Sequence, residues 1–139
     1  MIEFHFETSF ILSNSEKVKR WAHIVCASEG YTIGVLNFVF CDDSYLLEIN
    51  QKYLQHNTLT DIITFDYTTG KSMSGDIFIS IERVQENSQT YQVSFENELI
   101  RVMSHGMLHL AGYKDKKEEH IKEMRSKEDE KIKMFHVEH

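Results

Sequence analysis

Ile2, Phe4 and Phe6 alternate with Glu3, His5 and Glu7, the period of two that a strand with one buried face requires. From Ser13 onward the period lengthens. Val18, Trp21, Ala22 and Val25 recur at three- and four-residue steps up to Gly30, which predicts a helix, with Ser13 and Glu16 spaced as a capping box at its start. Residues 31–40 are dense in aromatic and β-branched types and predict a second strand. Asp42 or Asp43 then caps a second helix, carried by Leu46, Leu47, Ile49, Asn50 and Tyr53 to about residue 54.

His56 to Thr60 reads as polar loop, and residues 61–66 predict a third strand closed by Thr68-Thr69-Gly70. Ser74-Gly75 opens a fourth strand over 76–80, and residues 81 to about 89 have the composition of a short helix. Ser94 caps a helix over 95–111, with Phe95, Leu99, Val102, Met103 and Leu110 as its buried stripe. Residues 116 to about 133 predict a charged helix anchored by Ile121, Met124 and Ile132, and 134–139 read as a mobile tail. No repeat or linker interrupts this order, so the expected fold is a single α+β domain over residues 1–133. Its small mixed four-stranded sheet packs with about five helices.

At 139 residues the chain can bury a real core without disulfides or structural metals. No apolar run approaches the length that crosses a bilayer, and Met1 to Phe6 lacks the basic and apolar regions of a signal peptide. A cytoplasmic location is therefore expected. Cys26 and Cys41 show no CxxC spacing, so buried thiols are expected rather than a disulfide framework or a thiolate zinc site. A net charge of -7 argues against indiscriminate coating of nucleic acid, while leaving local basic patches open.

The chemistry concentrates in residues 104–115. His105 and His109 stand about one helical turn apart in an apolar run, so both imidazoles project from one face. They can be ordinary histidines, or two ligands of one small cation. Burial favours the second reading, because each unpaired imidazole would cost roughly 1–3 kcal/mol. Gly112 allows the left-handed turn that would bring Asp115 back toward them. The spacing is that of the HExxH helix of zinc proteases, but Gly106 stands where their glutamate base would be. His5, His23, His56, His136 and His139 have no spacing that recruits them.

The run His105-Gly106-Met107-Leu108-His109-Leu110-Ala111-Gly112-Tyr113 resembles the signature of the YbeY family, metal-dependent endoribonucleases of ribosomal RNA maturation. Thr60-Asp61-Ile62-Ile63-Thr64-Phe65 and Gly75-Asp76-Ile77 are similar to two further blocks of that family, so the resemblance spans most of the chain. It implies one zinc ion on the histidine-bearing helix and single-strand-specific cleavage in the maturation of small-subunit ribosomal RNA and in ribosome quality control. The implied partners are that RNA, the small subunit, and small-subunit proteins or an assembly GTPase.

Two departures stand out. The family's third ligand is a histidine directly after an aspartate, whereas here the two positions are Lys114 and Asp115. Asp115 is the expected third ligand and His120 its rival. Leu54 stands where many members carry an arginine, so Arg101 and Lys114 are the candidate substitute cations. Asp61 and Thr64 fall in a block that borders the family's cleft, with Asp61 a candidate catalytic group. Glu98, seven residues before His105, is a candidate acceptor orienting a ligand imidazole. The competing readings are an assembly factor with a structural metal, favoured by net acidity and Leu54, and a metal-dependent hydrolase of another substrate.

Overall fold

The computed structural model describes residues 1–54 and 60–137. In chain order these form β1 (Ile2–Phe6), α1 (Ser15–Ser28), β2 (Thr32–Cys41), α2 (Asp43–Leu54), β3 (Ile62–Asp66), β4 (Ser72–Ser80), α3 (Ile81–Thr90), α4 (Phe95–Leu110) and α5 (Glu118–His136). The sheet runs β1-β2-β4-β3. β2 lies parallel to both β1 and β4, and β3 returns antiparallel to β4, with Thr64 opposite Ile77. This is the expected α+β fold with a mixed four-stranded sheet and five helices. The polar loop expected over 56–60 lies, except for Thr60, outside the described residues.

Alternation along the strands sorts side chains between two faces. Leu36, Phe38 and Phe40 of β2, with Ile77 and Ile79 of β4, face the large core. There they meet Val18, Trp21 and Val25 of α1 and Leu99, Met103 and Met107 of α4. The opposite face carries a smaller cluster of Cys41, Leu46 and Ile63, flanked by Tyr45, Ile49, Phe65 and Phe78, under α2. Both thiols are buried and free, and burial pushes Cys26 up to about 11 and Cys41 up to about 12. No helix among the described residues is long and apolar enough to cross a membrane.

Caps explain most helix starts. Asp42 Oδ1 accepts from Tyr45 N at 2.9 Å, Ser80 Oγ from Arg83 N at 3.2 Å, and Ser94 Oγ from Asn97 N at 3.1 Å. The Ser13–Glu16 capping box does not form. Asn14 takes the N-cap position of α1 in a left-handed conformation, φ 58°, without a side-chain cap bond.

Two other boundaries also move. β4 begins at Ser72, four residues early, because Thr32 and Ile33 of β2 pair with Ser72 and Met73 ahead of an irregularity in the ladder. The tail expected from residue 134 is helical to His136. Phe135 is buried with its ring 5.9 Å from Trp21 at 88°, and His136 Nε2 lies 2.6 Å from Asn97 Oδ1. The buried stripe of α5 is Met124, Glu128, Lys131 and Phe135. Two charges at those positions hide its period from a purely apolar reading.

Candidate metal centre

α4 carries His105 and His109 one turn apart, their rings 4.6 Å between centroids and nearly perpendicular at 81°. Gly106 lets this helix press onto the sheet. A Cβ there would come within 2.9 Å of Ile77 Cγ2 and 3.1 Å of Ile62 Cδ1, so any larger residue would have to displace these isoleucines or the helix itself. At the helix end Gly112 adopts φ 99°, Tyr113 N donates to Leu108 O at 3.0 Å, and the chain doubles back. Asp115 is thereby returned to the histidine face.

Three donor atoms converge. His105 Nε2 and His109 Nε2 are 3.0 Å apart, and Asp115 Oδ2 lies 3.0 Å from the first and 3.3 Å from the second. Ligand bonds of about 2.0–2.1 Å at tetrahedral angles set donor atoms roughly 3.3 Å apart, so the triangle has the size of a metal shell. The other ring nitrogens fix the tautomers. His105 Nδ1 faces Glu128 Oε2 at 2.7 Å and His109 Nδ1 faces the Tyr113 carbonyl at 3.0 Å. Each of those partners can only accept, so both Nδ1 atoms are assigned the hydrogen and both Nε2 atoms keep bare lone pairs. In the neutral rings, two imidazole lone pairs and a carboxylate oxygen at this separation repel one another unless a proton or a metal ion lies between them. His105, His109 and Asp115 are the group of described residues able to hold a metal ion.

The same acceptors attract protons. Burial pushes the His105 imidazole down, but the hydrogen bond and charge of Glu128, with the charges of Asp115 and Asp61, outweigh it and hold the metal-free group above its ordinary range.

The other sequence candidates fall in varied places. Asp61 lies beside the triad, its Oδ2 accepting from Asn87 Nδ2 at 3.3 Å, and burial pushes its carboxyl up. Arg101 is on the histidine side of α4, but Glu128 at 2.9 Å and Asp129 at 2.6 Å engage its guanidinium. Lys114 does not line the cleft that contains Leu54, Thr64 and both histidines, but it lines a smaller hollow with His109, Asp115 and His120 on the other side of the ligand loop. His120 stays outside the donor triangle, and its Nδ1 is buried without a partner among the described residues.

Glu98 does not orient either imidazole: Glu128, from α5, holds His105 in its place. Burial pushes the Glu98 carboxyl up. Two contributors escaped the sequence reading. Glu128 is distant in the chain and looks like a solvated helix charge, although its four-residue spacing from Met124 marks the buried stripe. Lys116, just past Asp115, is the lysine that lines the Leu54 cleft.

Comparison with known proteins agrees with this geometry. Residues 3–136 match the family model described as Endoribonuclease YbeY. Proteins named Endoribonuclease YbeY from Flavobacterium johnsoniae and Flavobacterium psychrophilum are 56% identical over 138 residues and 54% over 137. The first match covers 99% of each chain, the second 99% of this chain and 98% of the relative. A third, from Christiangramia forsetii, is 49% identical over 137 residues, covering 99% of this chain and 96% of its own. A solution structure from Thermotoga maritima superposes with a TM-score of 0.69 at 25% identity, covering 97% of this chain and 89% of that one. Fold, histidine helix and full-length similarity agree, and the chain belongs to the YbeY endoribonuclease family.

Proposed function

We propose that this chain is a metal-dependent endoribonuclease that cuts single-stranded RNA during maturation of small-subunit ribosomal RNA in the cytoplasm, using one zinc ion held by His105, His109 and Asp115. The observation that carries the proposal is the convergence of three potential ligand atoms at 3.0–3.3 Å in a chain whose relatives bear the name Endoribonuclease YbeY. When bound, the cation supplies Lewis-acid chemistry, polarising a phosphoryl oxygen and making the attacking hydroxyl more acidic.

The chain's own residues do the positioning. Glu128 and the Tyr113 carbonyl lock the two imidazoles in the ligating tautomer. The open cleft of about 690 Å³ beside them, walled by β3, Asn50 and Leu54, accommodates a strand, and Lys116 offers its charge to a phosphate there. Leu54 supplies contact and no charge. A carboxylate in place of a third imidazole lowers the charge of the centre by one, which moderates its Lewis acidity.

The decisive experiment is His109→Ala. The variant is expected to stay folded while losing zinc and the cleavage of structured RNA at its single-stranded segments. Products ending in a cyclic phosphate identify a ribose hydroxyl as nucleophile, and plain phosphate ends identify water. Asp115→Ala is expected to lower zinc affinity far more than His120→Ala, and the reverse ranking transfers the third ligand to His120. The net charge of -7 and Leu54 favour the second reading, a factor that binds pre-ribosomal particles through a structural metal. Fully loaded wild-type protein that binds small subunits and cleaves no RNA would establish that reading instead.

A further inference from the structure

The donor triangle stands between two cavities that share Asp61, Ile62, His105 and Asp115. The larger is the open cleft. The smaller, about 370 Å³, lies between α3, α4 and α5, within the ~300–1,000 Å³ of small-molecule pockets. Its apolar lining is Ile62, Val102 and Met124, with Ile121 half exposed at the edge.

Tyr91 stands at the rim, 57% exposed, and its ring stacks on no other ring among the described residues. Its backbone is nevertheless fixed: Tyr91 N donates to Asn87 O at 2.9 Å, and Val93 N closes the turn on Ser88 O at 3.0 Å. An exposed aromatic face on an anchored backbone is a platform for a flat ring.

The polar lining is selective in sign. Glu98 is only 5% exposed and accepts no hydrogen bond from any described residue. The charges that act on it, Arg101, Asp61, Arg125 and Glu128, all line this pocket. Arg101 is already matched by Glu128 and Asp129, and Arg125 leans on Glu128 at 3.8 Å. The lining carries the carboxyl groups of Asp61, Glu98, Asp115 and Glu128 against two arginines, so acidic groups predominate, and it offers acceptors, namely the Asp61 and Glu98 carboxyl groups and the amide oxygen of Asn87. An apolar slot with an aromatic lip and an acceptor-rich wall suits a nucleobase that brings N–H donors. Adenine and cytosine present an exocyclic amine where uracil presents a carbonyl oxygen.

We propose that this pocket takes up the base next to the scissile phosphate and selects bases with an exocyclic amino group over uracil, with Tyr91 as the stacking platform and Glu98 as the acceptor. The proposal rests on the endoribonuclease reading for its position beside the cleavage point, whereas base selection can be measured separately.

The test uses zinc-loaded full-length protein and labelled hexamers of adenylate, cytidylate and uridylate, with binding read by anisotropy and cleavage of the same oligomers followed in parallel. Wild type is expected to bind the adenylate and cytidylate hexamers about tenfold more tightly than uridylate. Tyr91→Ala should weaken binding about tenfold, while Tyr91→Phe, which keeps the ring, stays within about twofold of wild type. Glu98→Gln should narrow the gap between amino-bearing bases and uracil, with thermal midpoint and zinc content confirming an intact fold and centre. Equal binding of all three hexamers by wild type, or wild-type binding by Tyr91→Ala, overturns the proposal. Cleavage without base preference sinks the pocket and leaves the endoribonuclease reading standing, whereas base-selective binding without cleavage supports the pocket and removes that reading.

Discussion

Two buried charges sit three residues apart on α5, and the networks they enter are opposites. Lys131, fully buried, meets Glu29 Oε2 at 2.6 Å, Ser28 Oγ at 2.9 Å and Glu130 at 3.4 Å, while Glu29 also accepts from the Tyr113 hydroxyl at 2.6 Å. Every charge on that side has a partner of opposite sign. Glu128, also buried, holds Arg101 and His105, yet the chain of contacts beyond His105 ends on three converging donor atoms, His105 Nε2, His109 Nε2 and Asp115 Oδ2, that can share a proton or a metal ion. The closed network is sufficient as it stands. The open one has the donor set that a cation could complete, which distinguishes a structural cluster from a candidate binding centre on one helix. Tyr113 joins them, its hydroxyl on Glu29 and its carbonyl on His109, so the closed cluster anchors the loop that delivers Asp115.

Breaking the closed side should have the largest effect. Glu29→Ala leaves Lys131 buried without its principal carboxylate and should lower stability by about 3–5 kcal/mol in urea denaturation, with a smaller loss of zinc affinity through the freed Tyr113 loop. Acid should reach the same cluster. Burial, the largest single influence on Glu29, pushes its carboxyl up, but hydrogen bonds from Lys131 and Tyr113 and the charges of Lys131 and Lys127 hold it below the ordinary range. A carboxyl lowered in the folded state stabilises fully above its unfolded value and loses that contribution as pH falls through the folded value. Denaturation from neutral to acid pH should show this loss in wild type and a flatter profile in Glu29→Ala.

Breaking the open side should act on metal first. Glu128→Gln removes the charged acceptor behind His105 and should weaken zinc binding by about 10–100-fold in chelator competition, with a smaller change in the stability of metal-free protein. The smallest effect sharpens the contrast from the other direction. Burial raises the Glu98 carboxyl, so the ionised group opposes folding at neutral pH and this penalty fades as pH falls through its raised value. Glu98→Gln should therefore raise the neutral-pH thermal midpoint slightly, by removing the cost of holding a charge at a largely buried position. An unchanged or lower midpoint would show that Glu98 has a stabilising partner.

Periods of two and of three to four residues located β1, α1, α2 and α4 because burial on one face is a local constraint, repeated at each turn or pleat, whereas β2, β4 and α3 were legible from composition. His105, His109 and Asp115 were legible for the same reason: a helical turn and the Gly112 reversal bring them together within eleven residues. The errors came where a long-range contact overrode a local sign. Glu128 and Lys131 occupy stripe positions that read as solvated, and Phe135 sits in a segment that read as loose, because their partners lie 23, 102 and 114 residues away. The Ser13–Glu16 spacing pointed to a cap, and the left-handed Asn14 took its place.

The chain by itself determined the elements, the metal face and, through a run shared with a known family, the class of chemistry. Only the tertiary structure decided which acid orients His105, which lysine enters the cleft, and that a second pocket adjoins the centre. Periodicity records which face of an element is buried; the identity of the group facing it depends on how distant elements pack, and no local pattern encodes that choice.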